Sequence, residues 1–279
     1  LKDHIFIISS MGNHVIEDVG ANPEQPEDNN DEDSNEDSEI VTPGPQPSKP
    51  VEGATDGIYT FHGEVKAENF IRGYELAHQI GLTAGTAQHS NAPWLKFTRK
   101  EVDGNITTMF VAKKPLRYNL SWTQINAKGA VFGDEDGATV TIDGQTYKVR
   151  LMRGALTNPS ENSNSDRGAH GSEWNRMMLP IHEQAIDQTW AYPQYVEDIK
   201  PFAHKLGSGK NGMYSDEDLL THYNYGRGSH SWMQESVKSN TSSRVFRGDR
   251  GVSRSDWLDP SNVNSDRGWR PVLELVPAS

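Results

Sequence analysis

The chain has 279 residues, a formal net charge of −12 and no cysteine. The missing thiols exclude disulfides, thiolate metal sites and cysteine nucleophiles. Nine Asp or Glu and no Lys or Arg fall between Glu24 and Glu39, so removing that stretch leaves only −3; the acidity is local, and it argues against nucleic acid, which calls for a basic footprint.

No apolar run approaches the ~20 residues of a membrane span, and Ile5–Ile8 falls short of a signal core of ~7–15 residues. The first residue is Leu, which reads as a fragment or processed product with Met11 as a candidate internal start. Residues 1–20 fit no class. Residues 22–50 are acidic and then Pro-rich, through Pro43, Pro45, Pro47 and Pro50. Such a stretch buries too little apolar surface to offset the cost of ordering it, so residues 1–50 are expected to be a disordered segment ahead of a domain over 51–279. Within that domain, Phe70, Ile71, Tyr74, Ala77 and Ile80 fall near helical spacing, which predicts a helix over Ala67–Ile80 capped by Gly81. Trp94–Phe97 and Thr108–Val111 flank Asp103-Gly104-Asn105, and Thr139–Ile142 and Thr146–Leu151 flank Asp143-Gly144; both read as hairpins. Ser121 and Gln124 form a capping box for a short helix ended by Gly129. Further short helices are expected over Ser172–Leu179 and Ser215–His222, the latter with Ser215 and Asp218 as a second capping box. The pentapeptide 164–168 recurs at 264–268 and is read as two turns.

The usual catalytic patterns fail on inspection. His182-Glu183 opens an HExxH match, but Ile186 stands where a second imidazole is needed. Gly226–Ser231 is a broken phosphate loop with no apolar strand before it. Asp134–Gly137 lacks the spaced carboxylates of a calcium loop, and Asp216, Glu217 and Asp218 are accounted for by capping and the helix dipole. The Arg247-Gly248-Asp249 tripeptide is read as chance. No catalytic residue, metal ligand or cofactor is expected.

What stands out is the composition from Thr221 to Arg270, which is dominated by Tyr, Asn, Ser, Gly, Arg, Asp, His and Trp. Tyr and Trp supply rigid amphipathic contact area, and Ser, Gly and Asn supply adaptable hydrogen bonding, as in antibody combining sites. Trp257 lies between polar segments and is expected to be an exposed anchor.

Glu173-Trp174-Asn175-Arg176, Arg244–Gly248, Gly251-Val252-Ser253 and Asn264–Glu274, closing on Gly268-Trp269-Arg270-Pro271, resemble the C-type lectin fold of the formylglycine-generating-enzyme type. Residues 221–276 are similar to the variable region of proteins diversified by retroelements, known from phages and archaeal viruses. Tyr147–Ala155 resembles an early core strand of that fold. The likeness is good over 145–279 and poor over 51–145, which is left as an N-terminal subdomain or an elaboration. It implies an α+β, C-type lectin-like fold with a twisted antiparallel sheet, short helices and long loops, and a terminal strand pairing near the first. It also implies a solvent-facing patch of interchangeable side chains: Arg227, His230, Asp249, Arg250, Arg254, Asp256, Trp257, Leu258, Asp259, Asn262, Asn264, Asp266 and Arg267. Phe246, Gly248, Gly251, Val252, Pro260, Gly268 and Trp269 would be the fixed scaffold between them. The implied function is hypervariable recognition of a protein or glycan receptor on a host or target cell, from a virion tail fibre or a cell surface. The enzymes of this fold use cysteine or an HxxxH ligand set, and its calcium-dependent lectins use Glu-Pro-Asn or Gln-Pro-Asp with Trp-Asn-Asp; the chain departs from all of these, with Arg176 at the last position. An invariant surface adhesin and a divergent metal-dependent enzyme are the alternatives.

Overall fold

The computed structural model describes residues 41–45, 58–155, 157–160, 172–183, 213–252 and 254–277. The expectations for residues 1–40 and 46–50 and the repeat copy at 164–168 lie outside them. Two six-stranded sheets and a few short helices make a mixed α+β fold. The first sheet runs in the order β1 (Tyr59–Val65), β3 (Trp94–Lys100), β4 (Ile106–Ala112), β12 (Val272–Leu275), β7 (Gln145–Arg150), β6 (Thr139–Ile142). The second runs β10 (Ser255–Leu258), β9 (Asn240–Arg247), β8 (His230–Val237), β11 (Arg267–Trp269), β5 (Arg117–Tyr118), β2 (Thr86–Ala87).

Both predicted hairpins form. β3 and β4 pair from Trp94↔Ala112 to Lys100↔Ile106, and Asn105 N–H donates to Asp103 Oδ1 across the turn (3.0 Å). β6 and β7 are joined by Asp143-Gly144, both at positive φ (49° and 79°), the conformation that a two-residue hairpin turn requires. The terminal strand β12 lies between β4 and β7, with Leu273 opposite Phe110 on one side and Val149 on the other. The strands β1, β3, β4 and β6 thus share one sheet with the C-terminal strand. β12 pairs with β7, which begins the segment Tyr147–Ala155, whereas β1 is an edge strand.

The first sheet is buried on both faces, so its central strands read as near-continuous apolar runs. Period-two alternation sends Trp94, Phe110, Ala112, Tyr147, Val149 and Leu273 to one face. There they pack with α1 (Gly73–Gln79) through Leu76 and with α2 (Trp122–Asn126) through Trp122 and Ile125. Leu95, Phe97, Met109, Val111 and Val272 go to the other face, against Trp174, Met177 and Met178 of α3 (Glu173–Met178). The second sheet contributes Trp232, Phe246 and Trp269 to the first core and Met233, Val237 and Val245 to the other.

The predicted helix over 67–80 is broken. Residues 67–69 form one 3-10 turn, Phe70 leaves helical geometry at φ −142°, and α1 starts only at Gly73. Tertiary contacts override the spacing. The Trp94 indole donates to the Ile71 carbonyl (2.8 Å), Gly73 N–H is taken by Ser90 O (2.8 Å), and Tyr74 is half exposed. The capping boxes at Ser121 and Ser215 are present. The second opens α4 (Asp216–Leu219), which is shorter than expected because Leu220 takes a left-handed conformation (φ 50°).

The compact unit begins at Val41. Residues 41–45 are packed against the first sheet, contrary to the expectation of a disordered linker to residue 50: the buried Lys96 ammonium donates to Pro43 O (2.9 Å) and Thr42 O (3.5 Å). A fully buried Arg270, between β11 and β12, ties the two sheets to α4. It donates to Ala112 O (3.1 Å), Lys113 O, Ser231 Oγ (3.1 Å), Leu219 O and Leu220 O (3.3 Å). Burial without a carboxylate partner among the described residues pushes its pKa down to about 9.

Candidate recognition surface

The register of the second sheet decides which predicted residues meet. β8 starts at His230, β9 ends at Arg247 and β10 starts at Ser255; Ser231 and Ser255 both sit opposite Arg247. β11 then runs parallel to β8 with Arg267 beside His230. Segments 221–230, 248–252 and 264–267 are thereby brought to one end of the sheet, with Arg254 beside them. Backbone hydrogen bonds fasten them: Tyr223 N–H to Asp249 O (3.1 Å), Gly251 N–H to Thr221 O (2.8 Å), Gly228 N–H to Ser265 O (2.8 Å) and His230 N–H to Asp266 O (2.9 Å). Two scaffold glycines allow this closeness. A Cβ on Gly268 would stand 2.0 Å from Gly228 O, and one on Gly248 (φ 84°) 2.9 Å from Ser229 O.

Arg227, His230, Asp249, Arg250, Arg254, Asp256, Asn264, Asp266 and Arg267 meet at or beside this end. They are not uniformly exposed. Asp249 and Arg267 are buried, a correction to their placement in a solvent-facing patch. The cause is that the loops fold over the strand ends, and Arg267 lies over the Phe246 ring (4.3 Å) while donating to His230 Nδ1. The His230 ring stacks flat on Phe246 (5.1 Å, 6°). Burial, with Arg267 and Arg250 nearby, pushes the His230 pKa down to about 3, so the ring is neutral at pH 7 with its proton on Nε2. Burial pushes the Asp249 carboxyl above its usual range, partly offset by Arg254. His230 Nε2, Asp249 Oδ1 and Arg267 Nε are all buried without a hydrogen-bond partner, and such concentrations of unpaired polar atoms are uncommon in folded proteins.

Trp257 is not the exposed anchor expected from its polar neighbours. It pairs with Val245, and strand alternation turns it to the same side, where it is half-buried against the α3 core. Leu258 on the opposite face packs on the other core. Asp259 and Asn262 lie in a turn at the far end of β10, beside α2: Thr123 N–H donates to Pro260 O (3.0 Å), and the Asp259 carboxylate accepts from Ser261 N–H (2.7 Å). Of the expected scaffold residues, Phe246, Gly248, Val252, Gly268 and Trp269 are buried, and Gly251 and Pro260 are partly exposed.

Sequence reasoning missed two contributors. Tyr118 of β5 takes a hydrogen bond from Arg227 (3.2 Å). His222, Tyr223 and Tyr225 form an exposed aromatic group on a 3-10 turn, 223–225, joined to Arg250 by a backbone bridge at His222. The signal for the latter was the Tyr-Asn-Tyr-Gly composition itself.

The surface is open. A cleft of about 410 Å³ lined by Glu64, Lys66 and Arg72, and one of about 510 Å³ lined by His89, Asn91, Lys113 and Lys114, contain none of the predicted residues. The near-miss motifs are structural. His182 is fully buried with Nε2 3.2 Å from Asp216 Oδ1, and Arg247 and Asp249 of the Arg-Gly-Asp tripeptide are both buried. Asn175 Oδ1 accepts from Arg247, and Trp174 Nε1 donates to Val252 O (2.6 Å), so this stretch holds the loop after β9 in place. Among the described residues no group of three or more His, Asp or Glu is placed to hold a metal, and no helix is long and apolar enough to cross a membrane. Comparison with known proteins finds no matching family model, no matching curated protein and no matching solved structure.

Proposed function

We propose that the chain is a ligand-binding protein, not an enzyme, that recognises a protein or glycan receptor on a host or target cell through the polar end of its second sheet. In this reading the scaffold is C-type lectin-like, of the kind diversified by retroelements, and it is displayed on a virion, as in a tail fibre, or on a cell surface. The observation that carries it is the convergence of segments 221–230, 248–252 and 264–267. Segments distant in sequence are fastened by their backbones, leaving Arg227, Arg250, Asp256 and Asp266 as side chains that reach solvent on a rigid support. Recognition usually sits on loops held this way.

The burial of Asp249 and Arg267 and the core packing of the half-buried Leu258 and Trp257 narrow the interchangeable set to the side chains that reach solvent; a rigid invariant adhesin would share the packed ones. The gene separates the two. A near-copy of its 3′ end, adenine-rich at the codons for residues 249–267 and adjacent to a reverse transcriptase, is expected, and a flank lacking both rejects diversification. Binding itself is tested by adsorption of the purified chain to a panel of bacterial and archaeal cells. Joint replacement of Arg227, Arg250 and Asp256 by Ala is expected to abolish adsorption with unchanged thermal unfolding. Adsorption retained by that variant rejects this surface as the binding site.

A further inference from the structure

We propose that the face formed by His222, Tyr223, Tyr225, Arg227 and Arg250 binds a saccharide that carries a carboxylate. The proposal rests on the ligand-binding reading above and names its ligand class. Tyr223 and Tyr225 are 52% and 51% exposed, a large share for aromatic side chains beside a packed sheet. They are not loose. The His222 ring is stacked on Tyr223 (4.6 Å, 27°) and meets Tyr225 edge-on (5.8 Å, 64°). The turn that carries them is fixed at three points: Asn224 N–H to His222 Nδ1 (3.1 Å), Tyr225 N–H to His222 O (3.1 Å) and Tyr223 N–H to Asp249 O (3.1 Å). A pre-set aromatic surface loses little freedom on binding.

The charge beside it is positive. Arg250 adjoins His222 through the backbone bridge, and its side chain is 65% exposed. Its acidic neighbour, Asp249 Oδ2 at 3.9 Å, belongs to a buried carboxyl. Arg227 is exposed, and it hydrogen-bonds the Tyr118 hydroxyl. Asp256 and Asp266 interact electrostatically with the buried Arg267. Two exposed arginines therefore lie on the segments that carry the two exposed rings, Arg227 two residues after Tyr225 and Arg250 bridged by its backbone to His222. The C–H face of a pyranose covers a tyrosine ring, and a guanidinium fork donates two parallel hydrogen bonds to a carboxylate. The group is much smaller than the ~800 Å² per partner of a stable protein interface, so the contact it fits is a small one, strengthened by multivalent display.

The test uses the purified full chain, with saturation-transfer NMR and calorimetry against sialyllactose and digalacturonate, and lactose as the neutral control. Expected are binding of at least one acidic saccharide, no detectable lactose binding, and a loss of about tenfold or more, ~1.4 kcal/mol, in each of Arg250→Gln, Tyr223→Ala and Tyr225→Ala, with unchanged thermal unfolding. Equal binding of lactose overturns the carboxylate part, and binding unaffected by the three variants overturns the location. If neither acidic sugar binds while adsorption to cells still depends on Arg227, Arg250 and Asp256, the ligand class is wrong and the recognition surface stands. If that dependence is also missing, both fail.

Discussion

Two charged clusters in this molecule are built to opposite standards. In the first sheet, Arg150 forks onto Glu173 (2.7 and 2.8 Å) and reaches Glu274 (2.8 Å), Arg99 joins both carboxylates, and Glu173 also takes the Arg153 N–H (2.9 Å). Burial alone would raise the Glu173 carboxyl, but Arg150 more than offsets it and holds the pKa below the usual range. At the end of the second sheet, Asp249, His230 and Arg267 are similarly enclosed, yet each keeps a polar atom without a hydrogen-bond partner. The first arrangement fixes a core. The second carries the cost of unmet polar groups.

The largest effect is expected at Glu173. Glu173→Ala leaves Arg150 buried and under-paired, and a loss of about 3–5 kcal/mol is expected in urea unfolding. A loss under ~1 kcal/mol would show that the network is no better built than a surface pair. Glu235 is the next test, because it is as buried as Glu173 and lacks such a guanidinium. It accepts Gly154 N–H (2.9 Å), and burial, with Glu173 nearby, pushes its pKa up from 4.5 to about 7. A raised carboxyl pKa means that the folded state binds the proton more tightly than the unfolded one. Stability is therefore expected to fall as pH rises from about 4.5 to about 7, by an amount of order 3 kcal/mol, and to level off above that. Glu235→Gln should flatten the pH dependence in that window, as read by denaturant midpoints, and a slope left unchanged would assign it to other groups. Trp257→Ala is expected to cost about 1–3 kcal/mol, since the ring is half-buried on the core; no change in the unfolding midpoint would return it to the exposed set. The smallest effect belongs to Arg250→Gln and Asp256→Asn, each within ~0.5 kcal/mol, and a larger shift in melting temperature would mean that the recognition end is structural after all.

What was legible in the sequence was local. Asp143-Gly144 announces its hairpin because only that turn needs two positive φ values, and Ser121 and Ser215 announce helix starts because their hydroxyls serve the chain three residues on. The helix over 67–80 failed because its interruption is imposed by Trp94 and Ser90, far away in sequence. The candidate site was legible as a region and illegible as a surface. Whether Asp256 or Trp257 faces outward depends on the register of β10 on β9, and whether Arg267 is free depends on β11 lying beside β8. Polar neighbours in sequence carry neither fact, so Trp257 read as exposed and Tyr223 went unassigned.

The position of β12 has a consequence for how such a protein is made. The strand that completes the first sheet is translated after every residue of the recognition end, and until Leu273 arrives, β4 and β7 have no partner between them. A frameshift or stop codon anywhere in 249–267 therefore yields a chain that cannot close its core. Closure of the core is thereby tied to an intact reading frame through that stretch.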